Sequence, residues 1–218
     1  MPRVGSQSVP VPAGPNSCRR GGSGVEARCG SRASSGRDEV GDNPEGDTIM
    51  ATQAIRSPQD LFVHELATTY DAEQRILQML NQTAGMEQNA QVKQALEHHR
   101  QETQQQIQNL EQAFQALGIP PQRVPCYAVE GLHQDHQQFA QQSVPANLMT
   151  LYHLGAAAKT EHYEVATYQG LIERAKRMGH PQVAQLLQEN LRHEQEMARK
   201  VEQMEQQLGQ QMSQQTGP

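Results

Sequence analysis

Six ionisable side chains fall on helical stripes that are otherwise apolar: Glu73, His99, Glu102, Glu161, Glu164 and Glu194. A carboxylate turned toward aliphatic neighbours is costly, since an uncompensated buried charge costs several kcal/mol. Four or five acids can share a dry interior only by keeping their protons or by neutralising cations. Carboxylate oxygens with one imidazole nitrogen, arranged around an open position, suit iron or manganese. Ions held in this way can bind O2 or H2O2 and take electrons from Fe(II) or another donor. Two blander readings stand beside this one: interhelical hydrogen-bonded acids, or a stripe displaced by a quarter turn. His99 read alone is a satisfied core histidine, and Glu164 fits the rim of a core equally well. Tyr70 and Tyr168 read as core aromatics with a polar tip, the alternative being a hydrogen bond to a ligand carboxylate.

The elements that must position these groups are helices. Ser57-Pro58-Gln59-Asp60 supplies an N-cap, a proline at the first helical position and an acid in the first turn. Helix one is predicted from about Pro58 to Thr83, ended by Gly85, and helix two from about Asn89 to Leu117, ended by Gly118 and Pro120-Pro121. A long connection follows, with a short helix in "AVEGLHQDHQQFAQQ" whose "HQDHQQ" reads as solvated surface. Ser143-Val144-Pro145 opens helix three, which runs to about Met178 before Gly179. Pro181 opens helix four, which fades near Leu208. No strand pattern competes in this region. Two helical hairpins joined by a long crossover make an all-α four-helix bundle.

Each stripe is interrupted once, near its middle. Helix one reads Phe62, Leu66, Tyr70, Glu73, Ile76 or Leu77, Leu80; helix two reads Val92, Leu96, His99, Glu102 or Thr103, Ile107, Leu110, Phe114. Helix three reads Leu154, Ala157, Glu161, Glu164 or Val165, Tyr168, Leu171; helix four reads Leu187, Leu191, Glu194, Ala198, Val201, Met204. Glu73 and Glu102 are symmetric about the first turn, Glu161 and Glu194 about the second. Each acid is therefore about 22–25 Å from its turn, at about 1.5 Å per residue. Hairpins packed with ends aligned bring all four carboxylates to one level. His99 and Glu164 lie one turn from Glu102 and Glu161 on the same faces.

With these residues in view, positions 57–205 resemble the bacterial YciE/YciF family of ferritin-like proteins. The segments that carry the resemblance are "DLFVHELATTYDAEQRIL", "HHRQETQQQIQNLEQAF", "CYAVEGL", "AAAKTEHYEVATY" and "LLQENLRHEQE". The resemblance implies a ferritin-like bundle with a dinuclear site, holding two iron ions, manganese or a mixed pair. It implies Glu73, Glu102, Glu161 and Glu194 as ligands, completed by His99 and Glu164. Helix two departs from the ferritin pattern in having His-x-x-Glu instead of Glu-x-x-His. Gln105 and Met197 stand three residues beyond Glu102 and Glu194. His162 and His193 are adjacent alternatives, both expected to point off the core face.

Composition narrows the classes. A formal charge of −6 argues against a nucleic-acid surface, and no apolar stretch is long enough to span a membrane. Of three cysteines, Cys126 alone belongs to the helical region, where it reads as a small packing residue, so neither a disulfide framework nor a thiolate zinc cluster is expected. A cytoplasmic setting and a homodimer are the expectations. Residues 1–56, rich in Gly, Ser, Pro and Arg up to about residue 49, are expected to be a disordered tail, with Met50 as an alternative start. Residues 57–208 form the bundle and 209–218 a polar tail. The functional expectation is iron oxidation or reduction of O2 or H2O2 in stress protection. Metal sequestration without turnover and a metal-free interaction module are the alternatives.

Overall fold

A computed structural model describes residues 54–215 of the protein; the expectations for the N-terminal 53 residues and the last three lie outside it. Five helices run in the order α1 (Pro58–Met86), α2 (Ala90–Ala116), α3 (Tyr127–Ala140), α4 (Ala146–Arg177) and α5 (Pro181–Gln215), with no strand among the described residues. α1 and α2 form one hairpin and α4 and α5 the other. α2 lies against α5 and α1 against α4, so the four long helices close a ring. The crossover, with α3 in it, packs on the outside of α1 and α4. This is the expected four-helix bundle with one crossover.

Local chemistry sets the helix ends. Ser57 Oγ accepts from the Asp60 backbone N–H at 3.1 Å, and Asn89 Oδ1 accepts from those of Gln91 and Val92 at 3.0 and 3.2 Å. α2 and α4 end in Schellman geometry. Gly118 and Gly179 take φ of 74° and 76°, while Ile119 N–H reaches the Phe114 carbonyl at 3.2 Å and His180 N–H that of Ala175 at 2.9 Å. The first turn differs from expectation. α1 passes through Gly85 and stops at Met86, because Glu87 adopts extended backbone and its buried carboxylate gathers three donors. These are Asn89 N–H at 2.6 Å, the Thr150 hydroxyl at 2.8 Å and His153 Nδ1 at 2.7 Å. The C-terminal end differs too. The segment expected as a polar tail from residue 209 is helical to Gln215, since its Gln, Met and Ser residues tolerate a helix and no proline interrupts them.

Asp71 docks the crossover onto α1. Its carboxylate is buried and accepts from Arg75 Nε at 2.5 Å, Arg123 Nη2 at 2.7 Å and the Cys126 backbone N–H at 2.8 Å. Burial raises its pKa, but these donors outweigh burial and hold it below the usual carboxylate range.

The core comes in two apolar blocks. One contains Phe62, Leu66, Leu110, Phe114, Leu171 and Leu187; the other contains Ile76, Leu80, Val92, Leu96, Leu154 and Val201. Between them, on every long helix, the stripe turns polar.

Candidate metal centre

The polar layer takes one or two groups from each long helix. Glu73 comes from α1, His99 from α2, Glu161 and Glu164 from α4, and Glu194 from α5, and all five are buried. In His99, Glu161, Glu164 and Glu194, one potential ligand atom of each lies within 4.8 Å of the others. His99 Nε2 is 3.1 Å from Glu161 Oε1. The contact is close but not aligned as a hydrogen bond, and Nδ1, 4.0 Å from Glu102 Oε2, has no hydrogen-bond partner either. Glu73 adjoins the group and is held from the other side by the Tyr168 hydroxyl, which donates to its Oε1.

Burial and mutual repulsion work against ionisation of the carboxyl groups in this layer. Burial pushes Glu73 up to about 7, although the Tyr168 hydroxyl and His99 pull it down. Glu164 and Glu194 rise well above the ordinary range, first through burial and then through the neighbouring carboxylates. Burial lowers His99, but Glu161 and then Glu73 and Glu102 outweigh it and raise the imidazole. One oxygen each of Glu73, Glu161, Glu164 and Glu194 is buried with no hydrogen-bond partner. Buried polar atoms are otherwise almost always paired. This buried His/Glu group could hold a metal ion: the orphaned atoms are carboxylate oxygens and imidazole nitrogens, the donor set of divalent iron, manganese and zinc.

A family profile described as a domain of unknown function, DUF892, matches residues 57–214. The chain belongs to the DUF892 family. Protein YciF of Escherichia coli K12 is 30% identical over 141 residues, which are 64% of this chain and 85% of that relative. The crystal structure of the E. coli stress protein YciF superposes with a TM-score of 0.69 at 28% identity, covering 72% of this chain and 99% of that one. YcfI of Rhodopseudomonas palustris gives 0.68 at 32%, covering 70% and 98%. A Xanthomonas campestris protein at 22% identity and TM-score 0.58, covering 70% and 93%, shares the fold. The likeness to YciE/YciF drawn from the sequence segments therefore holds.

Within the DUF892 region, the six sequence candidates are not placed alike. Glu102 leaves the layer. Its side chain keeps 17% exposure and its Oε2 lies 3.0 Å from His98 Nδ1 and 4.0 Å from His99 Nδ1. The α2 stripe passes instead through Thr103 and Gln106, both fully buried. Glu102 and Thr103 flank the direction of His99 on either side, and the packing selects Thr103. His162 is exposed and pairs with Glu202 at 2.7 Å. His193, expected off the core face, is buried with Nδ1 unpartnered, yet stands outside the group of converging ligand atoms. His136 also contradicts its reading as surface. It is buried and stacks on His153 with ring centroids 5.2 Å apart, because α3 lies flat on the bundle.

Three residues that support the site were not picked out from the sequence: Gln106, Asn109 and Asn190. Gln106 Nε2 donates to Glu194 Oε1. Asn190 Nδ2 donates to the Tyr168 hydroxyl at 3.0 Å and to the Gln106 carbonyl at 3.2 Å, while Asn109 Nδ2 donates to Asn190 Oδ1 at 2.7 Å. A line of amides thus floors the layer and fixes the carboxylates of Glu73 and Glu194. The signal was present: Asn190 lies four residues before Glu194, and Gln106 seven after His99, both at core spacing. Tyr70, in contrast to Tyr168, bonds Glu111 at 2.8 Å and has its ring edge-on to Phe114.

Proposed function

We propose that the chain is a ferritin-like dinuclear metal-binding protein of stress protection, which oxidises Fe(II) or reduces H2O2 or O2 at two iron ions, manganese ions or a mixed pair. The observation that carries this reading is the layer of five buried ionisable groups with unpaired ligand atoms. Glu73, Glu161, Glu164 and Glu194 together carry a charge of −4 when ionised, which two divalent cations cancel. Few other occupants would remove both the charge and the unmet hydrogen-bonding capacity of that layer.

His99, Glu161, Glu164 and Glu194 would hold the first ion, and Glu73 with shared carboxylates the second, Glu102 remaining at the edge. When bound, such ions supply an open coordination position and one-electron chemistry toward O2 or peroxide. The chain's own part is to fix the ligands and limit the access of water. Tyr168 and Gln106 each occupy one oxygen of a carboxylate, leaving the second oxygen unpaired. The two apolar blocks above and below seal the layer. Among the described residues no helix is long and apolar enough to cross a membrane. A cytoplasmic setting and a homodimer are part of the proposal; the apolar groove of Phe139, Val144, Pro145 and the exposed Leu148 supports the dimer.

The test is the metal content of the native protein against the Glu73→Ala, Glu161→Ala double variant, by mass spectrometry, followed by O2 and H2O2 consumption with added Fe(II). About two metal ions per chain in the native protein alone, with consumption, is the expected result. Near-zero metal in both would replace this reading with a metal-free module. Metal without consumption would leave sequestration.

A further inference from the structure

One cavity reaches the polar layer from the side, between α1, α3 and α4. Its inner end is formed by His99 and Glu161, its walls by Ile76, Leu80 and Ala157, and its outer part by His136 of α3. At the solvent end the exposed Lys159 and Asp135 face each other at 4.0 Å. The volume is about 50 Å³. A water needs about 10–15 Å³, so the space holds about three to five water-sized atoms and excludes a ligand of metabolite size.

The two ends of the cavity are polar and under-bonded. His136 Nε2 is buried without a hydrogen-bond partner, as are both ring nitrogens of His99 and Oε2 of Glu161. The His136 ring is held in place by stacking on His153, whose Nδ1 is in turn anchored 2.7 Å from Glu87 Oε2. Apolar walls alone would suit dioxygen. Polar groups at both ends call for an occupant that hydrogen-bonds.

We propose that this cavity is a binding pocket for hydrogen peroxide, with His136 as its hydrogen-bonding residue at the outer wall. The proposal deepens the function above and rests on it, since two groups assigned there to the metal form the pocket's inner end. His136 is a positioning and specificity residue: it selects a small polar ligand over a small apolar one. α3 brings it there, so the crossover segment acts as the outer wall of the pocket.

The test uses the full chain loaded with cobalt(II), with azide as a linear probe of three heavy atoms read by the visible absorption of cobalt. Ala157→Leu fills the cavity with a good helix former. His136→Phe keeps the stacked ring and removes Nε2. Azide should bind the native protein saturably. Its affinity should fall at least about tenfold in Ala157→Leu and about fivefold in His136→Phe, with cobalt affinity changed by less than about twofold. Unchanged azide affinity in both variants overturns the pocket while leaving the metal reading intact. Weakening in Ala157→Leu alone overturns the choice of peroxide in favour of an apolar ligand such as dioxygen. If Ala157→Leu fails to fold, His136→Phe decides, and an unchanged affinity there overturns the proposal. Failure of the native protein to take up cobalt removes the metal reading and this pocket with it.

Discussion

The Tyr168 hydroxyl donates to Glu73 Oε1 and at the same time accepts from Asn190 Nδ2 at 3.0 Å. The phenol is therefore oriented: its single proton can only go to the carboxylate. α4 in this way aims a ligand candidate that belongs to α1, with help from α5.

Tyr168→Phe removes that proton and leaves Glu73 Oε1 without its donor in a fully buried place, while Asn190 Nδ2 keeps only the Gln106 backbone carbonyl. Loss of a partner that orients a metal ligand typically costs about 10–100-fold in metal affinity, and an unpaired buried group costs about 1–3 kcal/mol. Titration with Fe(II) or Mn(II) and urea unfolding of the metal-free protein should both register the change. A variant with native affinity would show that the hydroxyl does not orient Glu73.

Stability of the metal-free protein should fall as pH rises. Glu73 in the folded state sits at about 7, and Glu164 and Glu194 are raised well above the ordinary value. In the unfolded chain all three ionise near about 4.3. Between these limits the native state holds more protons than the unfolded one, so each step up in pH favours unfolding. The contribution is fully present below about 4.3 and is lost through about 7 for Glu73, and higher for the other two. Divalent metal should reverse the trend, because it replaces the protons. Urea midpoints from pH 5 to 8 with and without Mn(II) check this, and parallel curves would contradict it.

Asp71 and Glu87 act with the opposite sign. Burial raises both, but their hydrogen bonds prevail and hold both folded pKa values below the ordinary value. Their stabilisation is present above the unfolded pKa and disappears as pH falls through the folded one. Asp71→Ala should cost about 2 kcal/mol at neutral pH, less than a fully buried pair because both arginines are about one-third exposed. Hydrogen exchange should rise first in residues 119–126, which Asp71 holds against α1.

Gly179→Ala should cost about 1 kcal/mol. The position has φ of 76° and nothing lies within 4 Å of an added Cβ, so the cost comes from the backbone alone. The same holds for Gly118→Ala, where φ is 74°. Thermal unfolding of the two single variants checks this, and Gly85→Ala, inside α1 with open space around it, should be neutral or stabilising.

Local chemistry made the helices legible. Ser57-Pro58, Gly118 and Gly179 announce caps that the structure uses, because a cap depends on a few adjacent residues. Apolar spacing of three and four determined which face of α1, α4 and α5 turns inward, and ionisable residues midway along each stripe pointed to a polar layer at mid-bundle, which on α2 takes His99 and not Glu102. The sequence alone also carried the likeness to YciE/YciF. The rotation of α2 about its axis was not contained in it, since Glu102 and Thr103 fit the period equally well. Only contact with α5, where Gln106 meets Glu194, settles that Thr103 faces in. Nor could the amides of Asn109 and Asn190 be paired from spacing, as they lie 81 residues apart and meet only when the two hairpins dock. His136 moved from surface to interior for the same reason: what buries it is α4, and a polar helix does not disclose what it will lie against.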